Sequence, residues 1–203
     1  TYDIRLKNLN VFTEMFLPSL YIAPNTTLNG HFSSISNDLA LDISTSWIRY
    51  KNFSIDDFEI HASAGNKELD MQAYAKRISQ DGNNFISLPE LFASTENNRI
   101  NYTLRLADYE SSPNRVNLKG SMDFFSASNF NFKIDSSFLV VESEQWKLDP
   151  KNVVTFDSSA ITFSSFKLSK LNESLELDGT IGKKETDRLE LFLAGFNLDH
   201  LNS

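Results

Sequence analysis

The stretch from Ile161 to Leu168 reads ITFSSFKL, and its large apolar residues are separated by two, three and two positions. A half-buried strand alternates with a period of two, so the step of three between Phe163 and Phe166 needs a local irregularity. The stretch FSIDDFEI, from Phe53 to Ile60, has the same spacing 108 residues earlier. A step of three moves apolar side chains to the opposite face unless a β-bulge absorbs it. The repeated step therefore predicts bulges that curve a sheet at equivalent places.

Alternation with a period of two dominates the remaining sequence, as in INYTLRL (100–106), FNFKI (130–134) and LELFL (189–193). Clusters of Asn, Asp, Ser, Gly and Pro separate these runs, which is typical of antiparallel strands joined by turns. We expect an all-β fold: an elongated, curved antiparallel sheet of about 12–14 strands, folded into an open trough of the β-taco type. Helical spacing is confined to one short helix near residues 11–17 and one turn within SLPELFAS (87–94).

A second internal repeat consists of the short patterns LNGHF, LKGSM and LDGTI. Glycine inside a strand marks a bulge, a bend or a close backbone approach. We interpret the chain as a single β-rich segment, 1–203, with degenerate repeats of roughly 1–95 and 96–203. An ordinary β-sandwich with the same corners is an equally good reading of these patterns. The predicted bend and bulge residues are Gly30, Gly120, Gly179, Asp56 and Asp57.

Composition excludes several classes of function. The net charge is −8 and no Lys or Arg cluster exists, which argues against a nucleic-acid partner because such affinity depends on clustered cations. The absence of cysteine excludes disulfides and thiol chemistry. No apolar run reaches the length of a membrane helix. Because the chain opens on a strand-like alternation, we expect a segment of a longer protein.

Residues that could carry catalysis are sparse. His31, His61 and His200 have no metal-ligand spacing, and the first two fall on the polar phase of strands. Asp56, Asp57 and Glu59 lack the spacing of a calcium loop, so a solvated bulge is the better interpretation. No nucleophile elbow or glycine-rich phosphate loop is present. We expect a protein that is not an enzyme and that uses no metal or cofactor.

An open curved sheet would leave an apolar face uncovered, and a face of that size needs a ligand or a partner. Phospholipid acyl chains fit such a groove, since each buried CH₂ contributes about 0.8 kcal/mol. For each candidate, a position in a sealed core is the alternative. The residues predicted to line the groove are Ile100, Tyr102, Leu104, Leu106, Leu118, Met122, Phe130, Phe132 and Ile134, with Phe163 and Phe166 at a curve.

The order of these patterns resembles the β-repeat region of TamB-like translocation and assembly proteins, in the AsmA-like superfamily. LYIAPNTTLNGHF and WIRYKNFSIDDFEI are similar to its strand and hairpin units. The other matching positions are Trp146, Asp149, Pro150, Asn152, Phe156, Ile161, Phe166, Leu168, Leu177, Gly179, Ile181, Asp187, Leu189, Phe196, Leu198, Leu201 and Asn202.

This resemblance implies a periplasmic β-structure with a hydrophobic groove, in a protein anchored in the inner membrane by a part absent from this chain. It further implies phospholipid transport to the outer membrane, with an outer-membrane barrel protein of the Omp85 type as partner of the full-length protein. Two alternatives stay open. One is a scaffold that assists barrel assembly by edge-strand pairing. The other is a secreted β-sandwich binding module, which would display Trp and Tyr rather than Phe.

Overall fold

The computed structural model describes residues 1–65, 68–106, 115–135, 137–141 and 143–196. Apart from one short helix, every regular element in these ranges is a β-strand, and every strand pair described is antiparallel. The all-β antiparallel fold predicted from the alternation is therefore confirmed. The chain divides into unit 1, Thr1–Asn97 with Thr103–Glu110, and unit 2, Asn98–Tyr102 with Ser111–Ser203.

Unit 1 contains the helix and the first strands. Its elements are β1 (Tyr2–Leu6), α1 (Asn10–Phe16), β2 (Leu20–Ile22), β3 (Thr26–Ser33), β4 (Asp38–Tyr50), β5 (Phe53–Gly65), β6 (Glu68–Tyr74), β7 (Arg77–Gln80), β8 (Asn83–Ser87) and β9 (Glu90–Glu96). Strand β10 (Arg99–Leu106) belongs to unit 2 as far as Tyr102 and to unit 1 from Thr103.

Unit 2 contains the remaining strands. They are β11 (Arg115–Ser126), β12 (Asn129–Ile134), β13 (Ser137–Val141), β14 (Glu144–Leu148), β15 (Val153–Phe156), β16 (Ala160–Lys170), β17 (Glu173–Gly182) and β18 (Leu189–Ala194). The described residues thus form eighteen strands, so the predicted count of about 12–14 is too low. The count is higher because, at each corner, two short strands pair in turn with one long strand where a single strand was expected.

The corner of unit 1 lies halfway along the hairpin of β4 and β5, the two longest strands. On one side, β3 pairs with the first half of β4 and β2 with its second half. On the other side, β6 and β7 divide β5 in the same way. The register between β4 and β5 is the same on both sides of the corner. The apolar residues, however, occupy odd-numbered positions of β4 up to Ile43 and even-numbered positions from Ile48, and β5 changes correspondingly between Ile55 and Ile60. Both strands change phase at the same level, and Asp57 has a left-handed φ of 48° there.

Unit 2 has an equivalent corner along β11 and along the hairpin of β16 and β17. Strand β11 pairs with β12 and then β13, while β16 pairs with β15 and then β14. Polar side chains satisfy the backbone where these ladders break. Asn152 is fully buried, accepts from Ile134 N at 3.0 Å and donates to Ile134 O at 2.8 Å. The Asn152 side chain therefore makes the two hydrogen bonds that a neighbouring strand residue would otherwise make with Ile134.

Two strand glycines admit a tyrosine from the neighbouring strand. Tyr2 faces Gly30 and donates to Ala40 O at 3.2 Å, and Tyr102 donates in the same way to Lys133 O at 3.1 Å. A Cβ on Gly120 would clash with Lys133 O and lie 2.5 Å from Tyr102 Oη. The glycines are thus sites of close approach. Burial raises the pKa of the Tyr102 hydroxyl, which stays protonated and able to donate.

The helix α1 begins at Asn10 and ends at Phe16, in agreement with the helix predicted near residues 11–17. The helical turn predicted within SLPELFAS is wrong, because Glu90–Glu96 forms β9 and pairs with β6 along its length. Leu88 has a φ of 46°, so the chain reverses immediately before Pro89 and enters an extended strand. Ladder pairing overrides the weak local helical spacing here.

Replacing Gly120 with alanine is expected to lower the free energy of unfolding by about 1–3 kcal/mol, the usual cost of overpacking. Its Cβ would displace Tyr102 or the backbone of β12. Gly65→Ala is the matched control, since no atom lies within 4 Å of a Cβ built there and Gly65 also lies in a strand. Urea denaturation measures both, and equal effects would contradict a close approach at Gly120.

Candidate functional site

The bulge in β16 places two phenylalanine side chains on one face of unit 2. Register between β16 and β17 shifts by one residue between Phe163 and Phe166, and Ser165 has a φ of 55°. The two phenyl rings contact each other edge-on, with centroids 6.1 Å apart. Ser165 lies 108 residues after Asp57, the left-handed residue of β5. The step of three in ITFSSFKL therefore keeps the apolar side chains on one face.

Cross-strand register extends this face over all of unit 2, because residues directly opposite each other share a side of the sheet. Starting from Gly120, the paired positions alternate consistently from β11 to β18, and Tyr102 of β10 joins this face by stacking on Phe132. We call the result the apolar face of unit 2. It consists of Ile100, Tyr102, Val116, Leu118, Gly120, Met122, Phe124, Phe130, Phe132, Ile134, Ser137, Leu139, Val141, Glu144, Trp146, Leu148, Val154, Phe156, Ile161, Phe163, Phe166, Leu168, Lys170, Glu173, Leu175, Leu177, Gly179, Ile181, Leu189, Leu191 and Leu193.

Aromatic rings line this face from Tyr102 and Phe132, within their strands, to Phe124, Phe130 and Phe156 beside the turns at one end, and we call these rings the aromatic band. Tyr102 stacks on Phe132 with centroids 5.2 Å apart. Phe130 contacts Phe124 at 5.1 Å and stacks on Phe156 at 4.7 Å. Offset and stacked pairs of this kind add about 0.5–1.5 kcal/mol each beyond the area they bury. These ring contacts connect side chains of four strands, β10, β11, β12 and β15.

The structure places nine of the eleven predicted groove residues on the apolar face of unit 2. Leu104 and Leu106 are the exceptions, since they lie on the part of β10 that belongs to unit 1. Of the nine, Ile134 is buried at the corner, and the other eight are half-buried.

Sequence reasoning did not include several residues of the same face. Phe124, Phe156, Ile161, Leu191 and Leu193 belong to it through register. Their period-two spacing is visible in the sequence, but assigning them to this face requires the pairing partners. The residues predicted to line a groove also did not include the apolar face of unit 1. It includes Leu28, Leu41, Ile43, Ile60, Ala62, Met71, Ala73, Leu91 and Ala93.

The predicted bend residues take three different roles. Gly30 and Gly120 are sites of close approach by tyrosine. Gly179 has a φ of 108°, lies opposite Phe163 and approaches the backbone of Arg188, so only glycine fits without strain. Asp57 is the left-handed residue of β5, and the neighbouring Asp56 forms an ion pair with Arg77. The irregularity predicted at these two residues does not shift the register of β5 with β4.

The apolar side chains are incompletely covered. Among the described residues, only Ala23, Ala75, Ile134, Val140, Leu148 and Val154 are buried hydrophobics, and most lie at the corners. On the apolar face of unit 2, Ile181 is 51% exposed, Leu191 55% and Leu193 52%. Unit 2 therefore presents an apolar surface that water reaches.

The opposite face of unit 2 is largely polar, and several of its polar side chains pair with one another. Asp123 accepts from Arg99 Nε at 2.5 Å and lies 3.8 Å from Lys133 Nζ, and these cations hold its pKa below the usual value. Thr155 donates to Asn131 at 2.8 Å, and the hydroxyls of Thr162 and Thr180 are 3.0 Å apart. Most strands of unit 2 thus separate an apolar phase from a polar one, whereas β13 places Phe138 and Val140, and β18 places Phe192, on the opposite face.

In unit 1, His61 lies beside two carboxylates, whereas His31 contacts one. His61 Nδ1 lies 2.6 Å from Asp42 Oδ1, and His61 Nε2 lies 3.6 Å from Glu59 Oε2. His31 similarly contacts Asp38 at 3.1 Å. Within the described ranges, no group of three or more His, Asp or Glu side chains is arranged to hold a metal ion. His200 lies outside the described residues.

Among the described residues, no helix has the length and the apolar character needed to cross a membrane.

The fold and the apolar face define an antiparallel β protein with one uncovered, largely hydrophobic side in unit 2. Comparison with protein-family models, with curated proteins and with solved structures finds no match for this chain. The resemblance described from the sequence therefore stays a prediction.

The pKa of His61 is expected to be raised above its usual value, first by the hydrogen bond to Asp42 and then by the charges of Asp42 and Glu59. A raised folded-state pKa stabilises the protein below the unfolded value of about 6.5, and this contribution is lost as pH rises through the folded pKa. Asp42→Asn should lower the pKa of His61, as measured by NMR titration. Asp70→Asn, on the neighbouring strand β6, is the control, and an unchanged His61 titration in Asp42→Asn would refute the assignment.

Proposed function

We propose that this chain is a non-catalytic segment of a bacterial envelope protein that binds phospholipid acyl chains on the apolar face of unit 2. The observation that carries this proposal is the incomplete burial of that face, on which the side chains of Ile181, Leu191 and Leu193 are about half exposed. An apolar surface of this extent in a water-exposed protein needs an occupant. Acyl chains can cover this surface through the hydrophobic effect alone, which contributes about 0.8 kcal/mol for each buried CH₂.

The aromatic band supports a linear apolar ligand. Tyr102, Phe132, Phe130 and Phe156 present ring surfaces that neither donate nor accept hydrogen bonds towards the face, because the Tyr102 hydroxyl is already bonded to Lys133 O. A ligand rich in hydrogen-bonding groups would leave those groups unpaired there, at a cost of about 1–3 kcal/mol each. A hydrocarbon chain incurs no such cost. The face therefore favours acyl chains over glycans.

The cellular setting follows from the sequence resemblance. It comprises the periplasm, a full-length protein anchored in the inner membrane, and an Omp85-type barrel protein as partner. In that setting the apolar face would carry phospholipid towards the outer membrane.

A second candidate function is a scaffold that pairs with strands of nascent barrel proteins. Strand β18 supports it, because all six of its side chains are exposed and it pairs with β17 through Ser174–Gly179. Backbone groups of an exposed strand can template another strand by β-augmentation. This function would depend on the backbone of β18 and be insensitive to which face its side chains occupy.

A matched pair of double variants tests acyl-chain binding. Leu191→Asp with Leu193→Asp adds two carboxylates to the apolar face, and Phe192→Asp with Ala194→Asp adds two to the opposite face of the same strand. All four positions are exposed, so both variants should fold. Each detergent-free protein is incubated with phospholipid vesicles and separated from them, and its extracted lipid is quantified by mass spectrometry.

The first variant should lose roughly tenfold in bound lipid, since unpaired carboxylates facing an acyl chain cost more than the ~1.4 kcal/mol that a factor of ten requires. The second should match the wild type. No lipid on the wild-type protein, or equal losses in both variants, would reject the proposal. Binding of unfolded barrel strands that survives in both variants would favour the scaffold.

A further inference from the structure

The apolar face of unit 2 carries a single group of charged side chains among its described strand residues. Glu144, Lys170 and Glu173 share the phase of the leucines and phenylalanines around them. Glu144 opens β14, Lys170 ends β16 and Glu173 opens β17, so all three lie beside the turns of two adjacent hairpins. We call these residues, with Trp146, the charged end of the face.

The charged end is compact. Lys170 Nζ lies 2.8 Å from Glu173 Oε2, is also ion-paired with Glu144, and stands 5.0 Å from the centroid of the Trp146 ring. Trp146 in turn stacks on Phe196, with centroids 5.7 Å apart. The Lys170 side chain is only 13% exposed, whereas that of Glu144 is 61% exposed. One carboxylate therefore remains available to solvent while the cation is held in place.

The opposite end of the same face is apolar up to the turns. Phe124 and Phe130 flank the hairpin of β11 and β12, and Phe156 and Ile161 flank the hairpin of β15 and β16. An amphiphile lying on this face thus meets charge at one end alone, among the residues described. Its hydrocarbon part matches the aromatic band, and its polar part matches the charged end.

Building on the proposed function, we propose that the charged end binds the headgroup of a zwitterionic phospholipid that carries a primary ammonium. Its ammonium would pair with the exposed carboxylate of Glu144, and its phosphate would accept from Lys170. One cation and two anions give the charged end a net charge of −1, which matches an ammonium and disfavours a headgroup with only negative charge.

The test uses vesicles of phosphatidylethanolamine and phosphatidylglycerol in equal amounts with identical acyl chains. Mass spectrometry of the lipid extracted from the detergent-free protein gives both the total amount and the ratio of the two. The wild-type chain should be enriched in phosphatidylethanolamine by roughly two- to fivefold, the range expected for partly exposed ion pairs. Glu144→Gln with Glu173→Gln leaves Lys170 as the only charge, so the enrichment should reverse towards phosphatidylglycerol.

Glu176→Gln with Glu190→Gln is the matched control, because it removes the same net charge from the opposite face of β17 and β18. It should keep the wild-type ratio. A reversal in this control as well would assign the preference to net charge and overturn the headgroup site. Lipid bound at the vesicle ratio by all three proteins would overturn the headgroup site and leave acyl-chain binding intact. Absence of lipid from the wild-type chain would overturn both.

Discussion

A strand cannot keep its apolar side chains on one face through a step of three unless one residue leaves the extended conformation. Ser165 is that residue in β16, and Asp57, at the equivalent place in β5, has a left-handed φ as well. Their effects on pairing differ. In unit 1 both strands of the hairpin change phase together and register is preserved, whereas in unit 2 only β16 changes and its register with β17 shifts by one.

The corners depend on polar groups that restore the interrupted ladders. Asn152 pairs with both backbone groups of Ile134, and Thr26 bonds to Ala23 O at 2.7 Å and to Thr45 at 2.9 Å. These side chains are buried although they are polar, which is stable only because their bonds are satisfied. Small and polar residues thus share the buried positions with a few aliphatic ones, Ile134, Val140, Leu148 and Val154, and the other large apolar residues that the structure describes stay partly or fully exposed.

The fold class could be predicted from the sequence because period-two alternation is a local property of residues such as those of INYTLRL. The positions of irregularity were equally visible as a step of three and as strand glycines. What could not be predicted is the pairing. Whether Leu193 shares a face with Phe166 depends on register between strands distant in the sequence, and a shift of one residue reverses the answer.

The charged end escaped sequence reasoning for the same reason. Lys170 and Glu173 are separated by one turn, but Glu144 is distant in the sequence, and only the pairing of β14 with β16 brings it to Lys170. In isolation each reads as an ordinary solvated residue beside a turn. They are distinctive only because the register places them on a face whose other described strand residues are uncharged.

The charged end also discriminates between possible occupants of the face. A second copy packed face to face would bury Glu144, Lys170 and Glu173 of both copies, and removing ions from water costs several kcal/mol each. Glu144, now 61% exposed, would lose the most hydration. An amphiphile covers the aromatic band and leaves its own headgroup, with the charged end, at the boundary with water. The distribution of charge on the face therefore favours a ligand that is itself apolar at one end and polar at the other.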